Sequence, residues 1–211
     1  MYIDNLVEIH SHIIPGVDDG SQSIETSLND FLSRRDKAFN ALLSALPPGS
    51  PELIPAAEVY ISKYLFNNDN LDALKIGNSN YVLIEHPFSA EFDDNDYYRL
   101  NNLFCDYGLK PVLAHIERYR ALMEDTYKLE EYIEMGCLVQ VNISSFVTGK
   151  HSLKKKLFKL LDTGHIHLIG SDCHNLDSRP PAYEDGIKAI IKKSGENAVE
   201  TLMYNANQLT K

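Results

Sequence analysis

Two imidazoles stand two residues apart in Glu8-Ile9-His10-Ser11-His12, directly after a short apolar run. If that run is a strand, the even spacing aims both rings the same way, so that they can share one ion. Near the other end of the chain, Ser171-Asp172-Cys173-His174 repeats the spacing with a carboxylate first. Either motif alone is also what surface residues in a loop would look like; together they point to a metal site. Between them Glu58, Glu85 and His115 each close an apolar run, in Pro55-Ala56-Ala57-Glu58, Val82-Leu83-Ile84-Glu85 and Leu113-Ala114-His115. A carboxylate at the end of a buried run is costly unless it is ion-paired or bound to a metal. Glu58 and Glu85 are therefore ligands or salt-bridge partners, and His115 is a ligand or a hydrogen-bonded structural histidine. Oxygen and nitrogen donors without a cysteine cluster suit Mn, Fe, Zn or Mg rather than a thiolate site. Arg118 and Arg179 fall beside these segments, and a planar guanidinium matches phosphate geometry. Solvated surface arginines fit the same positions equally well.

The elements that must position these groups follow from the apolar pattern. Strands are expected over 6–9, 53–57, 81–84, 111–114, 138–141 and 166–169. Helices are expected over 24–46, 93–107, 127–135, 153–161, 183–193 and 198–205. Gly108, Gly136 and Gly164 each stand between a helix and the next strand, where a left-handed cap is wanted. Strands alternating with helices imply parallel pairing and an α/β architecture. His10 and His12, Glu58, Glu85, His115 and Glu117, Asn142, and Asp172 and His174 then all lie just past strand ends. In a barrel of parallel strands those ends converge on one face, where active sites form. His86 neighbours Glu85 and should point away from that face, without a catalytic role. His167 lies inside an apolar strand and reads as a satisfied core histidine, while His151 and His165 are loop residues.

With 211 residues, 44% of them hydrophobic, the chain is expected to form one domain over 1–211. No run of about eighteen apolar residues exists, so no integral membrane protein is expected. The N-terminus lacks the basic region and cleavage site of a signal peptide. Three scattered cysteines suit a reduced, cytoplasmic setting, with Cys137 and Cys173 expected in the core. A net charge of -10 argues against a nucleic-acid surface. It leaves an anionic substrate open, because bound cations invert the local field.

The motifs in order resemble those of the bacterial manganese-dependent protein-tyrosine phosphatases of the polymerase and histidinol phosphatase (PHP) superfamily, encoded with capsule and exopolysaccharide loci. The resemblance is carried by His10-Ser11-His12, Pro15-Gly16-Val17-Asp18-Asp19-Gly20, Ala57-Glu58, Leu83-Ile84-Glu85, Ala114-His115-Ile116-Glu117-Arg118-Tyr119, Ser171-Asp172-Cys173-His174-Asn175 and Arg179-Pro180-Pro181. It implies a distorted TIM-like barrel of parallel strands and a cluster of two to three ions, Mn2+ first, with Fe, Zn or Mg as alternatives. The ligands it implies are His10, His12, Asp19, Glu58, Glu85, His115, Asp172 and His174, with Glu58 and Glu85 bridging ions. Arg118 and Arg179 would hold the phosphate. The implied substrate and partner is the phosphotyrosine tail of a bacterial tyrosine kinase that controls polysaccharide export.

One segment departs from that pattern. No strand stands between the Asp19 turn and the 53–57 run, where the family has a further strand ending in a histidine ligand, and no histidine stands between His12 and His86. The barrel is therefore expected to be one strand short, and the ion that Asp19, Glu58 and His174 would share loses a ligand. Two other activities fit the same residues: a small-molecule phosphoesterase of the histidinol-phosphatase type, and a scaffold that has kept the fold and lost turnover.

Overall fold

The computed structural model describes residues 6–10 and 27–210 of the chain. Helix α1 (Ser27–Ala45) precedes β1 (Glu58–Tyr60), β2 (Tyr81–Glu85), α2 (Asp94–Tyr107) and β3 (Lys110–Leu113). Two helices, α3 (Arg120–Glu124) and α4 (Thr126–Met135), lead to β4 (Leu138–Asn142). After α5 (Ser145–Thr148) and α6 (His151–Asp162) comes β5 (Leu168–Gly170), and α7 (Tyr183–Ser194) and α8 (Glu196–Leu209) close the chain. All the strands pair in parallel in the order β1-β2-β3-β4-β5. Because every pairing is parallel, all the carboxyl ends open on the same edge of the sheet.

Local chemistry sets the boundaries. The Asp93 side chain accepts from the Asn95 and Asp96 amides at the start of α2, and Asp125 does the same for Tyr127 and Lys128 at α4. Gly108 and Gly136 end these helices at φ 64° and 109°, the left-handed conformation expected of them. The sheet then buries both faces. Val82, Ile84, Leu113, Val139, Val141 and Ile169 pack among Leu100, Leu103, Leu129, Leu157 and Ile187 of the helices. Leu83, Val112, Ala114 and Leu168 face the opposite way, onto Ile9 and onto Ala206 and Leu209 of α8. Two apolar faces on one parallel sheet explain the continuous apolar runs in the sequence.

The N-terminal half corrects two expectations. The ladder begins at Glu58, so 53–57 lies outside it and Glu58 stands on its first rung. Pro51 and Pro55 have no amide hydrogen to give a ladder, and the Pro55 carbonyl accepts from Gly77 N at 3.1 Å instead. The run 6–9 joins no ladder, yet it lies against the end of β5: Ser171 N donates to Glu8 at 3.1 Å and Asp172 N to the His10 carbonyl at 2.6 Å. Between residues 27 and 57 there is one helix and no strand, as the shortened sequence implies.

His86 is fully buried behind β2, its ring 4.6 Å from that of Phe92 and 5.9 Å from that of Tyr119. Neither ring nitrogen has a hydrogen-bond partner among the described residues. Burial, helped by Arg99 and His115, holds its pKa down at about 3 against an ordinary 6.5. The folded value is depressed, so stability is lost as pH falls from 6.5 towards 3, because the unfolded chain takes up the proton first. His86→Phe removes the unpartnered nitrogens while keeping the ring. It is expected to raise unfolding stability by about 1–3 kcal/mol at neutral pH and to flatten the loss on the acid side. Urea unfolding at pH 7.5 and pH 5 measures both; a less stable variant would contradict this account of the pocket.

Candidate metal centre

The strand ends bring the expected ligands to one place by placing two of them in strained backbone. His115, just after β3, has φ 33°, and Asp172, two residues after β5, has φ 51°. Such left-handed residues cost about 1–3 kcal/mol each and persist where their surroundings fix them. Here both amides are pinned: His115 N donates to Gln140 Oε1 at 2.6 Å, and Asp172 N to the His10 carbonyl at 2.6 Å.

The side chains then meet across the sheet. Glu58 reaches two imidazoles at once, Oε1 to His115 Nε2 at 3.0 Å and Oε2 to His10 Nε2 at 3.3 Å. Glu85 Oε1 lies 3.3 Å from the same His115 nitrogen. Asp172 Oδ1 lies 3.7 Å from His10 Nε2 and 3.7 Å from His174 Nδ1. Six expected ligands from opposite ends of the sequence, His10, Glu58, Glu85, His115, Asp172 and His174, thus stand in one cluster. The remaining two, His12 and Asp19, lie outside the described residues.

Two observations test whether this donor set fits a cation. The donor atoms of Glu58, Glu85 and His115 all lie within 4.8 Å of one another, the grouping a divalent ion requires. Burial pulls the His115 imidazole towards its neutral form, but hydrogen bonds to Glu58 and Glu85 outweigh it and raise the pKa to about 9. The pocket therefore holds a positive charge between two acids, where a metal ion would compete with the proton. The residues fit a cation with oxygen and nitrogen donors.

Sequence reasoning missed Gln140. Its side chain, wholly buried in β4, places Oε1 3.2 Å from His10 Nδ1. That oxygen already accepts the His115 amide, so it accepts from His10 as well, and His10 carries its proton on Nδ1. Nε2 is thereby turned to the cluster, the orienting role that outer partners play at metal-bound histidines. Gly170 allows this approach: a Cβ there would stand 2.5 Å from His10 Cβ and 3.0 Å from Gln140 Nε2. The only sequence signal was a polar residue inside an apolar strand. Gln140→Leu is expected to weaken metal binding about tenfold to a hundredfold with the fold intact. Equilibrium dialysis measures it; unchanged affinity would remove Gln140 from the site.

Beside this cluster lies a cleft of about 300 Å³ lined by Arg118, Asn142, Ser144, Ser171, Asp172 and Arg179. The Nη2 atoms of both arginines lie 2.6 Å from Asp172 Oδ2, and Asn142 Nδ2 donates to the same oxygen at 2.9 Å. Arg179 also places Nη1 3.0 Å from His174 Nε2. Glu117, the chain neighbour of Arg118, is anchored: its Oε1 accepts from Asn142 N and Ser145 Oγ, each at 3.1 Å. Two guanidinium groups therefore converge on one wall of the cleft, beside the carboxylates.

The other singled-out residues stay apart from this cluster. His165 pairs with Glu130 at 3.0 Å, and His167 Nδ1 accepts from Val139 N at 3.1 Å. Cys137 is buried, and burial pushes its thiol up to about 12, an inert core cysteine. Cys173 is half-buried rather than in the core, because it sits in the loop that leaves β5.

Comparison with known proteins places the chain. A family model described as capsular polysaccharide synthesis, CpsB/CapC, matches residues 49–211. The tyrosine-protein phosphatase CpsB of Streptococcus agalactiae is 29% identical over 247 aligned positions, covering 98% of each chain. That alignment is longer than the chain itself, so the relative contains residues that this chain lacks. The tyrosine-protein phosphatase YwqE of Bacillus subtilis is 24% identical, with 97% of this chain and 91% of that protein covered. A solved structure from work on YwqE and on CpsB of Streptococcus pneumoniae, described as unique metal-dependent tyrosine phosphatases, superposes with a TM-score of 0.77. It is 22% identical, with 97% and 94% of the two chains covered, and it shows the same fold.

Proposed function

Because this chain belongs to the CpsB/CapC family of capsular polysaccharide synthesis proteins, we propose that it is a metal-dependent phosphatase that removes phosphate from tyrosine on protein. The observation that carries the reading is the junction of two half-sites. Glu58, Glu85, His10 and His115 form an acid-imidazole cluster, and Arg118 and Arg179 meet at Asp172 beside it. Asp172 belongs to both, so a phosphate held by the arginines lies next to the ligands. The relatives that support the substrate class are named tyrosine-protein phosphatases.

His10, Glu58, Glu85, His115, Asp172 and His174 would hold two to three ions, Mn2+ first, with His12 and Asp19 completing the set; Fe, Zn or Mg suit the same donors. When bound, such ions lower the pKa of water and neutralise charge on phosphoryl oxygens. Arg118 and Arg179 present planar forks of donors that match the remaining phosphate oxygens and stay with the charge that develops during transfer. Gln140 keeps His10 in the tautomer that faces the ions, and Glu117 fixes the turn that carries Arg118. The whole chain acts as one domain, and its partner is a bacterial tyrosine kinase of the capsule machinery. No helix among the described residues is long and apolar enough to cross a membrane, so a membrane-bound kinase would bring the enzyme to that surface.

The test is hydrolysis of a phosphotyrosine peptide by the Mn-loaded protein, run beside histidinol phosphate. Preference for the peptide, abolished by a chelator, supports the proposal. Turnover of histidinol phosphate alone, or of neither by metal-loaded protein, overturns it.

A further inference from the structure

Three residues past β2, Phe88 is 60% exposed, an unusual place for a large apolar ring beside a polar site. Single exposed aromatic rings are common and by themselves mean little. This one is built in. Its centroid lies 6.2 Å from that of the His115 imidazole, and the Arg118 guanidinium carbon lies 5.8 Å from its centroid. It therefore stands against a member of the acid-imidazole cluster and one of the arginines of the cleft while leaving much of its surface open to solvent.

The loop that carries it is also fixed. Ala90 N donates to the Pro87 carbonyl at 2.8 Å, closing a turn with Phe88 inside it. On one side His86 is locked among Phe92 and Tyr119, and its amide donates to the Tyr119 hydroxyl at 2.9 Å. On the other side Phe92 is buried at φ 51°, packed on Tyr119 and Tyr132. A buried aromatic cluster thus anchors both ends of a short segment whose apex is an exposed ring. That is a preorganised surface, one that loses little freedom when a ligand settles on it.

We propose that Phe88 is an aryl subsite: it takes the ring of an aryl phosphate whose phosphate group is held by Arg118 and Arg179. The inference rests on the phosphatase reading and deepens it, since it names what distinguishes a tyrosyl from an alkyl phosphate. Ring-on-ring contact of this kind, offset or edge-on at 4.5–7 Å between centroids, favours an aromatic ligand about twofold to tenfold. Phe88 makes no contact that a small alkyl phosphate needs.

The test uses non-hydrolysable probes, phenylphosphonate and methylphosphonate, titrated by calorimetry into the Mn-loaded full chain, so that the readout does not need turnover. The intact protein is expected to bind phenylphosphonate about fivefold to tenfold more tightly. Phe88→Ala should lose that preference, and Phe88→Trp should restore it. Equal binding of the two probes by the intact protein, or a preference that survives Phe88→Ala, would overturn the subsite. Neither result touches the phosphatase reading, which stands or falls on peptide hydrolysis.

Discussion

Replacing His115 with Asn should lower kcat/KM towards a phosphotyrosine peptide by about a thousandfold or more. Asparagine is the informative choice, because it tolerates the left-handed backbone that His115 occupies at φ 33°. The fold is thereby spared and the loss can be assigned to the imidazole. His115 Nε2 approaches both Glu58, at 3.0 Å, and Glu85, at 3.3 Å. Without it, two carboxylates face each other with one donor fewer, and metal content should fall with activity. The proton count gives a second readout. The metal-free ring keeps its proton up to about pH 9, so metal uptake at neutral pH should release it. Apparent metal affinity should then rise with pH until about 9. In the metal-free protein the same raised value stabilises the fold below pH 6.5 and ceases to do so as pH passes 9. A variant within tenfold of the intact rate would remove His115 from the centre.

The arginines should fail differently. Arg118→Ala and Arg179→Ala are each expected to lower kcat/KM about a hundredfold to a thousandfold while metal content is retained. The distinction follows from position: both guanidinium groups bond Asp172 Oδ2 at 2.6 Å from the cleft side, leaving the Oδ1 edge facing His10 and His174. Lysine should recover little, because it supplies a point charge in place of a planar fork. The double variant should lose less than the product of the single losses, since both groups act on the same carboxylate and the same phosphate. Loss of metal in either single variant would mean that the arginines support the cluster itself rather than the substrate.

Much of this arrangement was legible in the sequence because apolar period and strand-end chemistry agree. The runs ending at Glu85, His115 and Asn142 became β2, the β3 exit and β4, and the helices before β3 and β4 ended at Gly108 and Gly136. Parallel pairing followed from the alternation, and parallel pairing is what brings distant acids and imidazoles to one edge. Glu58 was placed one step wrong, since two prolines disguise where pairing begins. Gln140 stayed invisible because its meaning depends on His10, 130 residues away. A polar residue in an apolar strand declares a partner without naming it. The aromatic lock around His86 was equally hidden: pointing away from the cluster implied no catalytic role and said nothing of packing, and the ring is buried and anchors the loop of Phe88. Neither relation is periodic, and period is what a single sequence displays.

The most direct test is a count of tightly held manganese per chain, by elemental analysis after dialysis, on protein whose phosphotyrosine turnover is measured in the same preparation. At least two ions per chain are expected, as in two-metal phosphatases, falling together with turnover in the His115 variant. A folded chain that retains no divalent ion, or that hydrolyses the peptide equally well with a chelator present, would contradict the idea that acids and imidazoles from separate strand ends form one metal centre.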